Sequence, residues 1–67
     1  MYGIVEERLY LEEAGCYRTY GIRTVSGRLI SDVCTERERL SAFVDELNAA
    51  GLEEIHLEDA IADFLAS

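Results

Sequence analysis

The stretch Cys16-Tyr17-Arg18-Thr19-Tyr20-Gly21-Ile22-Arg23-Thr24-Val25-Ser26-Gly27-Arg28-Leu29-Ile30-Ser31-Asp32-Val33 decides the fold. Both limbs are rich in β-branched and aromatic residues, which favour a pleated, half-buried backbone. Ser26-Gly27 between them has the composition of a two-residue hairpin turn. The stretch therefore predicts two antiparallel strands over residues 16–25 and 28–33. A two-residue turn sets the register: Val25 faces Arg28, Thr24 faces Leu29, Ile22 faces Ser31 and Tyr20 faces Val33. One face then carries Tyr20, Ile22, Thr24, Leu29, Ser31 and Val33. It is the less charged face, so it is expected to meet the rest of the core.

Upstream, residues 4–12 mix β-branched, aromatic and charged side chains without helical spacing and read as a further strand. Glu13-Ala14-Gly15 supplies its turn. Val5, Leu9 and Leu11 are the expected inward residues of this strand. That choice also turns Glu7 inward, an awkward place for a charge, which a bulge or a dimer contact would have to relieve.

Downstream, the period changes from two to that of a helix. Thr35-Glu36-Arg37-Glu38 has the form of a capping box, in which Thr35 accepts an amide of the first turn and Glu38 reaches back. Leu40, Phe43, Val44 and Leu47 follow as one apolar stripe, and Gly51 with Leu52 gives the expected left-handed stop. Leu57, Ala60, Ile61, Phe64 and Leu65 form a second stripe. The expected fold class is α+β: a three-stranded antiparallel β-meander followed by two amphipathic helices packed on one face (β-β-β-α-α), with residues 1–67 as a single small domain.

The composition narrows the function classes. The net charge is −8, from fourteen acids and six arginines with no lysine. Residues 1–34 balance to −1, and residues 35–67 to −7. Nucleic-acid binding requires a basic patch, so nucleic acid is not an expected partner. Anionic lipid would repel the same surface, and no stretch has the roughly eighteen apolar residues of a membrane span, so no membrane partner is expected. Met1-Tyr2-Gly3 lacks a basic leader and Glu6-Glu7-Arg8 interrupts any apolar run, which points to a cytoplasmic protein with reduced thiols. A chain of this length buries a small core, and a partner subunit is a common remedy, so a homodimer is expected.

Chemistry-bearing constellations are few. His56, Asp59 and Asp63 are spaced i, i+3, i+7 and project along one helical line, where imidazole and carboxylates are able to ligate a metal or orient a base. Capping by His56 and Asp59, and pairing of Asp63 with an arginine of the sheet, explain the same three residues structurally. Cys16 and Cys34 are predicted on opposite faces, with Cys34 opposite Thr19. Their separation is roughly 10 Å at ~3.4 Å per residue, beyond the ~7 Å reach of a disulfide. Tyr2, Tyr10, Tyr17 and Tyr20 lie among Arg8, Arg18 and Arg23, a pattern suited to cross-strand packing or to an exposed patch for a dimer or partner. Catalytic signatures such as a nucleophile elbow or a phosphate loop are absent, so no enzyme activity and no cofactor is expected.

Tyr20-Gly21-Ile22 in the second strand, together with Ile55-His56-Leu57 through Asp63-Phe64-Leu65 at the end, resembles a family of short bacterial proteins. These come chiefly from Firmicutes and are catalogued as a domain of unknown function. The resemblance covers nearly the whole chain. It implies a bacterial cytosolic source and the same order of elements, and it brings no catalytic, metal or ligand residues. The expectation is therefore a non-enzymatic protein-interaction or regulatory module, homodimeric. A metal- or ligand-binding protein using His56, Asp59 and Asp63 is the first alternative. An acidic nucleic-acid mimic directed at a basic partner is the second.

Overall fold

The computed structural model describes residues 1–13 and 15–66. Three strands, β1 (Gly3–Leu11), β2 (Gly15–Arg23) and β3 (Leu29–Cys34), form one antiparallel sheet in the order β1-β2-β3. Helix α1 (Arg37–Ala50) packs across all three strands, and a 3₁₀ turn, η1 (Glu54–His56), leads into α2 (Leu57–Ala66). This is the α+β arrangement, β-β-β-α-α, that the sequence predicts. The expected turn at Glu13-Ala14-Gly15 includes Ala14, which lies outside the described residues.

The core is formed by Tyr20 and Ile22 of β2, Val33 of β3, Leu40, Val44 and Leu47 of α1, and Leu57 and Ile61 of α2. Both helices present it through the predicted stripes, and Phe43 stacks on Phe64 with ring centroids 4.4 Å apart. Leu65 departs from its stripe and is exposed. Helix α1 ends as expected: Gly51 has φ 63°, its amide donates to the Asn48 carbonyl, and the Leu52 amide donates to that of Leu47. This satisfies two carbonyls of the last turn and brings Leu52 against the core.

Three local expectations are corrected. The β2–β3 connection is a three-residue loop, Val25-Ser26-Gly27, because Thr24 and Arg28 already pair: the Thr24 amide donates to the Arg28 carbonyl at 2.9 Å. The Gly27 amide donates to the Thr24 carbonyl, and Gly27 takes φ 88°, the left-handed residue such a loop requires. One added loop residue reverses the parity of β3 as far as Ser31, while Val33, past a register shift in the strand, keeps its expected place in the core. Ile22 faces Ile30 and Arg23 faces Leu29, so Ile30 joins the core side and Leu29 is exposed.

The second correction concerns β1. Its partners are Ile4↔Ile22 and Glu6↔Tyr20, so Tyr2 and Ile4, not Val5, Leu9 and Leu11, approach the helices. Glu7 lies on the opposite face, which removes the awkward buried charge. The third correction is the capping box. The residue before α1 is Glu36 and no side chain caps it. The Glu36 amide donates to Cys34 Sγ at 3.4 Å, so the thiol at the end of β3 occupies the amide that opens this turn.

Candidate functional site

The predicted stripe lies on the outside of the molecule. His56 closes η1, where its amide donates to the Glu53 carbonyl at 3.0 Å, and its side chain is exposed. Asp59 and Asp63 are also exposed, on the solvent side of the helix whose Leu57 and Ile61 are buried. Among the described residues, no three His, Cys, Asp or Glu side chains come together closely enough to hold a metal ion. The expected pairing of Asp63 with a sheet arginine is replaced by another. Arg28 reaches Glu58, and Glu54 lies 3.9 Å away.

Arg28 belongs to a chain of polar contacts that ties the hairpin loop to the helical half. Its amide donates to Thr24 Oγ1, and Thr24 Oγ1 lies 3.0 Å from Ser26 Oγ. Ser26 donates to Glu54 at 2.9 Å. The single Ser26 proton is thereby committed, so the Thr24 hydroxyl donates to Ser26.

The face of the sheet away from the helices holds a second network, absent from the sequence reading. Between Tyr20↔Cys34 and Ile22↔Ile30, the single residue Gly21 opposes Ser31, Asp32 and Val33, so β3 bulges there. Asp32 takes φ 53°, a left-handed conformation that Asp tolerates better than most residues. Glu7 crosses β2 to pin this bulge. Its carboxylate accepts the Ser31 hydroxyl at 2.9 Å and the Asp32 amide at 3.0 Å. Asp32 in turn accepts from Thr19 at 2.7 Å and from Tyr17 at 3.1 Å. The crossing passes over Gly21, where a Cβ would stand 3.3 Å from Glu7 Oε2. The only advance signal was the misfit of Glu7 as an inward residue.

The N-terminal segment is held in the same way. The Tyr2 amide donates to Asn48 Oδ1 at 2.7 Å, the Asn48 amide group returns a bond to the Tyr2 carbonyl at 3.0 Å, and the Tyr2 hydroxyl donates to the Leu52 carbonyl. The Tyr2 phenol is raised above its ordinary value by burial, then by Glu54 and Glu53. The Tyr17 phenol is raised by burial, then by its bond to Asp32 and the charges of Asp32 and Glu7. A raised phenol favours the neutral, donating form, so its contribution to stability is complete below pH ~10 and is lost as pH rises through the higher folded values. An ultraviolet phenolate titration is expected to show two groups ionising late. Tyr2→Phe and Tyr17→Phe should each remove one of them, and a single transition at the ordinary value in the unaltered protein would contradict this.

The remaining feature is an arm. β1 and β2 pair over nine residues, whereas β3 pairs only with the Tyr20–Arg23 end of β2. The pairs Arg8↔Arg18, Leu9↔Tyr17, Tyr10↔Cys16 and Leu11↔Gly15 therefore run on as a two-stranded ribbon. On the helix face, burial stops at Ile4 and Tyr20; Glu6, Arg8, Tyr10, Cys16 and Arg18 are exposed. The molecule is accordingly elongated, 38 × 26 × 18 Å, with a radius of gyration of 12.2 Å. A chain of this length packed to ordinary compactness has ~11 Å. Tyr10 is 68% exposed and Leu11 52%. Cys16 and Cys34 have the same strand parity, contrary to expectation, but stand four residues apart along β2 and are unpaired. Arg8 directly faces Arg18, which Glu6 neutralises at 3.4 Å. Arg8 itself has no acid within ion-pair distance among the described residues. Among those residues, no helix is long and apolar enough to cross a membrane. No family model matches the chain, and no curated protein or solved structure does.

Proposed function

We propose that this protein is a non-enzymatic protein-interaction module of the bacterial cytoplasm that works as a homodimer, and that the sheet edge and its arm form the interaction surface. The observation that carries the reading is the ribbon beyond β3, with Tyr10 and Leu11 exposed near its tip. A two-stranded ribbon is marginal in water on its own, and a partner would supply the missing third strand and cover the apolar side chains. The sheet half also carries little net charge, whereas the helical half is strongly acidic. Two copies would thus approach with least repulsion through the sheet.

Sedimentation of the purified protein tests the reading. A concentration-dependent dimer is expected, weakened by the double substitution Tyr10→Ser and Leu11→Ser while the far-ultraviolet circular dichroism is retained. A monomer at every soluble concentration would defeat it. Stoichiometric metal that is lost in His56→Ala would move the assignment to the His56, Asp59 and Asp63 stripe. Salt-sensitive capture of a basic protein through the helical half would move it to mimicry of nucleic acid.

A further inference from the structure

We propose that two copies join edge to edge through β1, antiparallel about a two-fold axis at Glu7, to make one continuous six-stranded sheet from two three-stranded ones. This rests on the homodimer reading above and gives it a strand, a register and named contacts.

The sheet has two edges, and they differ. β3 is six residues long and interrupted by the bulge at Asp32, a device that blunts an edge against pairing. β1 is nine residues long, keeps unbroken register with β2, and contains neither proline nor lysine. Its outer row of amides and carbonyls is the better template for another strand.

The register follows from charge. A two-fold axis perpendicular to the sheet keeps the helices of both copies on one side, so paired residues must share parity. Centring on Arg8 would set arginine against arginine, and centring on Glu6 would set glutamate against glutamate. Centring on Glu7 places Glu6 opposite the partner's Arg8, and Arg8 opposite the partner's Glu6. Arg8, which has no acid within ion-pair distance among the described residues, thereby gains one. Glu6 can serve both arginines, since Arg18 engages only its Oε1. The two Glu7 residues meet at the axis, but each carboxylate is drawn across Gly21 to Ser31 and Asp32, away from the free edge.

The apolar residues fit the same register. On the face away from the helices, Val5 pairs with the partner's Leu9 on both sides of the axis. On the helix face, Tyr10 falls opposite the partner's Ile4, at ~5 Å between Cβ atoms. Ile4 borders a depression of about 300 Å³ lined also by Glu6, Tyr20 and Arg37, and the phenol ring of the incoming Tyr10 is suited to enter it. Leu11 falls opposite the partner's Gly3, which has open space around it.

A charge exchange tests the proposal, read by sedimentation equilibrium with circular dichroism as the check on folding. Arg8→Glu should weaken the dimer about tenfold or more, because the dimer then sets glutamate against glutamate at two places. Adding Glu6→Arg to the same chain should return the affinity to within about threefold of the unaltered protein, since the swapped pair is again complementary. An unaltered dimer that is indifferent to Arg8→Glu, or not rescued by Glu6→Arg, would overturn the β1 register and leave the homodimer reading standing. A monomeric unaltered protein would overturn both.

Discussion

Leu57→Ala is expected to leave a large fraction of the protein unfolded at room temperature, whereas Ile55→Ala, two residues away, should change stability by no more than ~0.5 kcal/mol. The two positions belong to one short segment and differ in exposure: Leu57 is 0% exposed and Ile55 79%. Leu57 opens α2 and enters the cluster formed by Ile22, Leu40 and Val44, so its truncation removes buried methyl groups and leaves a cavity beneath the helix. Such truncations cost roughly 2–5 kcal/mol. A domain of this size has about 3–5 kcal/mol to lose. The loss is thus comparable to the whole stability. Urea denaturation at fixed protein concentration measures it, the concentration being held because dimerisation would raise the apparent stability. A loss below ~1 kcal/mol would show that α2 rests on the domain without closing its core.

That contrast also shows which signals the sequence carries well. The helices were legible because their apolar spacing admits one face only, and because Gly51 and Leu52 stop α1 in a recognisable way. The order of elements followed from the change in period after Val33. Strand facing was not legible from the same kind of pattern. Tyr2 and Ile4 on one parity, and Val5 and Leu9 on the other, are about equally apolar, so alternation could not choose between them. The charged residue did carry the answer: an inward Glu7 conflicts with the cost of burying a carboxylate, and the structure resolves it by reversing the strand. The loop failed for a different reason. Val25-Ser26-Gly27 suits either a two-residue or a three-residue connection, and the choice reverses Leu29, Ile30 and Ser31, whereas Val33, beyond the bulge, keeps its place in the core. The candidate surface was harder still. The bulge has no glycine to announce it, and the arm exists only because β3 is shorter than its neighbours, a fact of pairing that no single strand displays. His56, Asp59 and Asp63 stood out in the sequence by residue type, and the structure leaves all three exposed.

Gly21→Val is expected to abolish the β2–β3 pairing, and Gly21→Ala to weaken it by about 1–3 kcal/mol, the usual range for forcing atoms into filled space. Gly21 has no positive φ to require a glycine. The requirement is one of close approach: a Cβ there would overlap the Ile30 carbonyl oxygen and stand 3.3 Å from Glu7 Oε2. The Glu7 carboxylate ends a flexible side chain and can withdraw, at the loss of its bonds to Ser31 and the Asp32 amide. The Ile30 carbonyl cannot, because Ile30 is fixed opposite Ile22, a fully buried core residue. The obstacle is therefore backbone, and β3 must move as a strand. Its displacement would uncover Val33 and free the bulge that Glu7 and Asp32 hold. Gly3→Ala is the matching control, since nothing lies within 4 Å of a Cβ at that position. Amide hydrogen exchange separates the two cases: Gly21→Ala should lower protection throughout β3 while sparing the arm pairs Leu9↔Tyr17 and Tyr10↔Cys16, and Gly3→Ala should leave β3 unchanged. Equal stability of Gly21→Ala and the unaltered protein would mean that β3 pairs with β2 less closely than described, and that Glu7 is not needed to cross the sheet.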